Sequence, residues 1–475
     1  MWQLVSRVLL TIEEAIIWYV GVINVAYFVF IALGFFWLRS HRKAHGSEER
    51  IGLLRTRSMP AISILVPVYN ESQGVRDSVR SMLALEYSRH EVIVINDGST
   101  DDTLEILKEE FDLTESERVV SLPIQTKEIR AIYESRAPIP LIVIDKYNGG
   151  KADALNAGIN ISRAPLIASV DADSILEPDA LLSAVMPFVE TPNKTVATGG
   201  MVRIINGCRI SKSVVSQIGA PDFLLARFQT LEYLRAFLGG RIAFSFMNCL
   251  LLVSGAFGLF RKDVVTEVGG FASDSIGEDM ELIVRIHKHL REKGVEYRIE
   301  FCPEPVCWTE VPSDLGTLYR QRNRWQRGTI DTLWRHREML FNPKFGAAGI
   351  IGFPYFVLFE VLGPPIELAG YILTFLGLFL GFVSLNMATM FLVVSILFGI
   401  CLSISALAMD EMTLRRFPAP GDVLQLLFAA LIENLGYRQM MALWRTIATY
   451  DAFMGKKGWG KMIRTGFQST PVQKN

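Results

Sequence analysis

Residues 167–178 read "IASVDADSILEP". The stretch begins like a strand buried on both faces and then sets two carboxylates, Asp171 and Asp173, two residues apart. In an extended chain residues i and i+2 point to the same side, so the spacing predicts that the pair converges on one spot. Two anions that close repel unless something positive lies between them. Outward from this stretch, "AISILVPVY" (61–69), "EVIVIND" (91–97) and "PLIVIDKY" (140–147) are further apolar runs. Helix-like segments such as "TDDTLEILKEEF" (100–111) and "KADALNAGIN" (151–160) separate them. This alternation predicts an α/β fold with a mixed, mostly parallel sheet covered on both faces. Ligands gather at the carboxyl ends of such strands, and Asn70, Glu71, Asp97, Lys146, Asn148, Asp171 and Asp173 all fall there.

The chain of 475 residues is 50% hydrophobic, with a mean hydropathy of +0.29, too apolar for an ordinary soluble enzyme. Its 48 basic and 49 acidic residues argue against nucleic acid as a partner. The five cysteines have no disulfide-framework spacing and read as reduced and structural. Cys302 and Cys307 lack the second pair that a zinc site needs.

Residues 15–38 carry no charge and are long enough to cross a bilayer, and Arg39, His41, Arg42 and Lys43 follow at once. The positive-inside bias puts what comes next in the cytoplasm of an integral protein of the plasma (inner) membrane. The expected organisation is an N-terminal anchor (1–50), a cytoplasmic domain (51–345), C-terminal transmembrane or interfacial helices (346–450) and a basic tail (451–475). Apolar runs at 349–363, 366–384, 388–408 and 422–448, the first two broken by "GPP" at 363–365, predict four C-terminal crossings. Three crossings plus one interfacial helix is the alternative.

Several motifs bear on chemistry. An EF-hand needs a ligand where Ile175 stands and a glycine where Leu176 stands, so "DADSILEPD" is no calcium loop. Paired carboxylates that leave other positions open to phosphate oxygens suit Mg²⁺ or Mn²⁺ with a diphosphate. "NDGSTDD" (96–102) reads either as a turn and helix cap or as a nucleoside contact through Asp97. "NGGKADALNAG" (148–158) offers glycines, Lys151 and a helix start to a phosphate but lacks P-loop spacing, which disfavours an ATPase. Glu278 and Asp279 open an amphipathic helix, where acids either complement the helix dipole or act as a general base. "YRQRNRWQRG" (319–328) is either a juxtamembrane basic patch with an aromatic anchor or a diphosphate clamp with a sugar-stacking tryptophan.

With "VDADS", "GED" and "QRNRW" in this order between apolar spans, the chain resembles the processive family-2 glycosyltransferases, the group of the bacterial cellulose, hyaluronan, chitin and poly-N-acetylglucosamine synthases. The resemblance runs from about residue 55 to the C-terminus. It implies a GT-A-type domain and a UDP-sugar donor contacted by Pro67, Tyr69, Glu71, Asp97, Lys151 and Asp171, and by Gln321, Arg322 and Arg324. It further implies a metal on Asp171 and Asp173, with Asp173 the direct ligand, and Asp279 as catalytic base beside Glu278. Ser254, Gly255 and Trp325 would contact the growing polysaccharide acceptor. Membrane lipid and accessory or export subunits are the other partners in view. No segment after the last span is long enough for the cyclic-di-GMP-binding domain of bacterial cellulose synthases. Two other readings stay open: a non-processive transferase adding one sugar to a lipid carrier, and a transporter or receptor whose domain senses a nucleotide.

Overall fold

The computed structural model describes residues 2–44, 59–118, 122–137, 139–211, 213–414 and 417–456; most of the basic tail lies outside them. Twelve strands form: β1 (Ile62–Val68), β2 (His90–Asn96), β3 (Leu113–Glu115), β4 (Ile129–Ser135), β5 (Leu141–Lys146), β6 (Leu166–Val170), β7 (Ser174–Leu176), β8 (Thr195–Ile204), β9 (Arg209–Ser211), β10 (Val214–Gln217), β11 (Phe257–Arg261) and β12 (Arg298–Thr309). Ten of them make one mixed sheet in the order β3-β4-β5-β2-β1-β6-β11-β8-β12-β7. The four apolar runs anticipated from sequence are its parallel centre, β5-β2-β1-β6. Their β-branched residues, among them Ile62, Ile64, Val92 and Val143, are fully buried, as strands covered on both faces require.

Register sets where polar residues emerge. Val68 lies opposite Asn96, Asn96 opposite Asp145, and Leu65 opposite Ser169. Tyr69, Asp97, Lys146 and Asp171 therefore leave the sheet along one rim.

The helices that matter are α1 (Trp2–Ala44), α2 (Lys151–Ile161), α3 (Leu224–Leu234), α4 (Glu278–Glu292), α5 (Leu315–Arg335), the helical runs α6 (Ala348–Phe379) and α7 (Leu385–Thr413), α8 (Pro420–Ile432) and α9 (Tyr437–Phe453). Three stretches, Arg7–Ser40, Ala348–Phe379 and Leu385–Thr413, are long and apolar enough to cross a membrane.

Two sequence expectations change here. The "GPP" motif does not end a span, because Pro364 and Pro365 occupy the first turn of Gly363–Phe379, where a missing N–H costs little. A wide π turn over Phe356–Val361 precedes them, and Leu362 N reaches back to Val357 O at 3.1 Å, which keeps the run continuous. The expected span 422–448 is instead two helices parted by Gly436, whose φ of 103° suits glycine alone. At 13 residues α8 is roughly 20 Å long, short of a bilayer core of about 30 Å. Helix α9 carries Arg438 and Arg445, paired with Glu367 and Glu360 at 2.8 Å each. Among the described residues, then, two C-terminal helices rather than four have the length and composition of a span.

None of the five cysteines is joined in a disulfide.

Candidate functional site

Strand β6 stops at Val170, and residues 171–173 form a turn closed by Ser174 N to Asp171 O at 3.1 Å. The acidic pair is therefore not on extended chain. Both carboxylates are half-buried and flank the buried Ala172 at the strand's carboxyl end. The positive charge beside Asp171 is the Lys151 ammonium, 2.6 Å from its Oδ1 and 3.5 Å from Glu278 Oε1. Lys151 is the first residue of α2, which Gly150 can start because it tolerates a φ of 87°.

Gly255 closes the other side. Its N donates to Asp279 Oδ2 at 3.1 Å, and its O accepts from Lys151 Nζ at 3.4 Å. A Cβ there would lie 2.9 Å from Lys151 Nζ and 3.2 Å from Asp279 Oδ2, so a larger residue would push the lysine and the carboxylate from their places. The neighbouring Ser254 hydroxyl accepts from Ala256 N at 3.4 Å.

Asp279 and Glu278 differ although adjacent. Asp279 is half-exposed, with Oδ1 accepting from Met280 N at 2.8 Å, whereas Glu278 is buried. Burial pushes the Glu278 carboxyl above its usual range; Lys151 opposes this, and the charge on Asp279 adds to it. Burial alone would lower Lys151, but Asp171, Glu278 and Asp279 together raise it.

Helix α5 supplies the basic motif. Arg322 is buried, pairs with Glu232 at 2.5 Å and lies 4.4 Å from the Trp325 ring centroid. It therefore buttresses the tryptophan, which is 42% exposed. The charge of Arg324 favours ionised Glu278, which marks it as facing the acidic cluster. Gln321 is half-buried, with a buried Oε1 that has no partner.

The opposite face of α5 is fastened to α9. Asn323 donates to Asp451 at 3.0 Å, Gln326 accepts from Arg445 at 2.8 Å, and Tyr319 meets Trp444 edge-on at 5.3 Å.

The residues that the family resemblance assigns to the nucleoside form a second group on the same rim. Pro67 is half-buried, Tyr69 is exposed, and Glu71 N is tied to Thr103 Oγ1 at 3.0 Å. Asp97 is buried: Oδ1 accepts from Lys146 Nζ at 2.7 Å and Gly149 N at 3.0 Å, and Oδ2 from Gly150 N at 2.7 Å. A nucleoside contact from Asp97 has to share oxygens that already hold the loop leading to Lys151.

Sequence reasoning missed two groups near the acids. Tyr233 ends α3, and Arg241 closes the π-helical segment Arg235–Arg241 that continues it. Burial lowers the Arg241 guanidinium to about 10 against the pull of Asp279, and the charge of Asp173 reaches Tyr233. The signal available was an arginine opening the apolar stretch 241–260, which falls in the expected cytoplasmic domain and was given no site role.

Among the described residues no three His, Cys, Asp or Glu side chains gather as metal ligands. Two half-exposed carboxylates, Asp171 of which is paired with Lys151, suit a hard cation that shares phosphate oxygens better than a closed protein cage.

Against known proteins, residues 63–265 match the family described as Glycosyl transferase family 2, and residues 166–407 match Glycosyl transferase family group 2. A Poly-beta-1,6-N-acetyl-D-glucosamine synthase of Staphylococcus epidermidis is 30% identical over 279 residues, 59% of this chain and 57% of the relative. The protein of the same name from Staphylococcus aureus (strain COL) is 30% identical over 312 residues, 65% and 63% of the two chains. The chain thus covers about six-tenths of the length of these relatives. In fold it is similar to a mannosyltransferase from Pyrobaculum calidifontis, solved with GDP-Man and Mn²⁺, at a TM-score of 0.51 and 16% identity, covering 92% of this chain and all of that one. With a GT-A sheet, the acidic pair at its rim and a family match over more than half its length, the chain belongs to the family-2 glycosyltransferases.

Proposed function

We propose that the chain is a membrane-embedded, processive, inverting glycosyltransferase that elongates a β-linked polysaccharide from a UDP-sugar and passes the product outward. The observation that carries this reading is the convergence of Lys151, Asp171, Gly255, Glu278 and Asp279 at the rim that α5 borders. In this reading residues 1–50 anchor the chain, 51–345 are the cytoplasmic catalytic domain, and 346–450 are membrane and interfacial helices. Two crossings after the domain return the chain to the domain's side. The names of the relatives favour N-acetylglucosamine over glucose as the sugar.

Asp279 is the base. Gly255 N and Met280 N hold its two oxygens and fix their direction, and its partial exposure leaves room for an acceptor hydroxyl. The carboxylate takes the hydroxyl proton as that oxygen attacks the anomeric carbon; the bond to the UDP oxygen breaks, and the configuration inverts. Arg324 and Lys151 present charge to the diphosphate, and Trp325, backed by Arg322, offers its ring to the acceptor sugar. Asp171 and Asp173 would hold Mg²⁺ or Mn²⁺, which when bound would supply charge to stabilise the leaving diphosphate.

Asp173→Ala tests the reading. Purified in a folded state, it should lose UDP release by at least about a hundredfold, while metal-dependent turnover near the parent rate removes the assignment. With the parent, high-mass polymer supports processive action, and a short glycolipid indicates single addition to a lipid carrier.

A further inference from the structure

A cavity of about 570 Å³ opens away from the rim, between the starts of β8 and β12 and the end of α4, lined by Lys194, Arg291 and Arg298, by the carboxylates Glu190 and Glu296, and by Asn248 among others. Most of its charges are already matched. Lys194 pairs with Glu296 at 2.9 Å, and Arg298 lies 3.7 Å from Glu300. Arg291 is different: its guanidinium sits 5.4 Å from the Tyr297 ring centroid and hydrogen-bonds the Tyr297 side chain, while its Nε is turned from water against Gly346. No ion pair engages it among the described residues. A cation kept partly out of water with no carboxylate paired to it is costly unless an anion completes it.

The location narrows the ligand. The Arg291 guanidinium packs on Gly346, where a Cβ would lie 2.8 Å from its Cζ, and Gly346 stands two residues before the span Ala348–Phe379. On the other side, Asn248 follows the short helix Ile242–Phe246, whose Phe244 packs on Phe30 of α1 at 5.0 Å and on Tyr355 of α6 at 4.7 Å. Phe246 itself is exposed. The cavity therefore lies where membrane helices meet the catalytic domain. A guanidinium fork there matches phosphate oxygens better than any neutral group.

We infer that this cavity is a binding site for a phosphate-bearing anion at the membrane boundary. The shared chemistry is a phosphate monoanion or dianion, carried either by a lipid headgroup or by a soluble phosphate. Helix α4 joins the cavity to the rim, since Arg291 and Asp279 stand at its two ends, roughly 18 Å apart along one rigid element.

The test uses the full-length protein in a neutral detergent, titrated separately with dihexanoyl-phosphatidylglycerol, dihexanoyl-phosphatidylcholine and inorganic phosphate, with the thermal midpoint as readout. A saturable upward shift with phosphatidylglycerol but not phosphatidylcholine assigns a lipid headgroup, and an equal shift with inorganic phosphate assigns the free anion. Arg291→Gln should weaken the response at least tenfold, Arg291→Lys should restore part of it, and Asp173→Asn at the rim should leave it intact. If Arg291→Gln does not fold, Lys194→Gln replaces it, with a several-fold weakening expected. No saturable shift with either anion, the same shift with phosphatidylcholine, or a response unchanged in the cavity variants overturns the site.

Discussion

Two lysines begin neighbouring features of the same rim, and each stands between carboxylates. Lys146 pairs with Asp97 at 2.7 Å and Asp153 at 2.5 Å, and its side chain is 0% exposed. Lys151 pairs with Asp171 and Glu278, yet its side chain keeps 23% of its exposure and that of Asp171 keeps 29%. The composition is the same and the accessibility is opposite. A closed cluster gives a substrate little room, so its charges chiefly hold loops in place. An open one holds its charges for whatever enters. Asp97 therefore tethers the Gly149–Gly150 amides, and by fixing them it aims Lys151 into the open cluster.

Breaking the closed cluster should cost the most. Lys146→Ala leaves two buried carboxylates without their cation and should destabilise the protein by about 3–5 kcal/mol, seen as a large fall in thermal midpoint or loss of folded yield. Lys151→Ala, whose partner Asp171 can still reach water although Glu278 is buried, should cost less, about 1–2 kcal/mol, while turnover falls sharply. Equal losses of stability in the two variants would erase the distinction.

At the open cluster, Asp279→Asn keeps an oxygen for the Gly255 amide but cannot take a proton. UDP release should fall about 10²- to 10⁴-fold with the thermal midpoint and donor binding close to the parent values. Elongation near the parent rate would point to another base.

A smaller effect sharpens the contrast through pH. His287 is buried: Nε2 donates to Leu250 O at 2.9 Å, which leaves Nδ1 to accept from the Tyr297 hydroxyl at 2.6 Å. Burial lowers its pKa to about 4, with the Leu250 carbonyl opposing and Arg291 assisting. A histidine held below its unfolded value contributes stability that is fully present above about pH 6.5 and is lost as pH falls toward 4. Chemical unfolding at pH 7 and pH 5 should differ by about 2 kcal/mol, and His287→Gln should remove most of that difference. No change in slope on removing the imidazole would mean that other groups set the acid limit.

How far the sequence spoke for itself follows the same division. The four parallel strands were legible because strands buried on both faces are continuously apolar. Strands β8 and β12 were not, since "TVATGGMVRI" and "RIEFCPEPVCWT" are interrupted by glycines, prolines and charges that only the neighbouring strands explain. The acidic pair, the "GED" motif and the basic helix could be named, but which charge faced which could not. Lys151 against Asp171 joins residues twenty positions apart, and Arg322 turned out to support Trp325 through Glu232 of a helix that carried no recognisable motif. The C-terminal helices were miscounted because hydropathy does not register a proline placed in a first turn or the partners of Arg438 and Arg445.

The fastening of α5 to α9 has a consequence for the order in which the protein becomes competent. The helix bearing Trp325 leaves the ribosome well before Asp451, Arg445 and Trp444, the groups that grip its back. Until the closing segment has been made and has docked, the tryptophan platform lacks its backing. A half-built chain thus lacks that support, which is complete only once α9 has docked on α5.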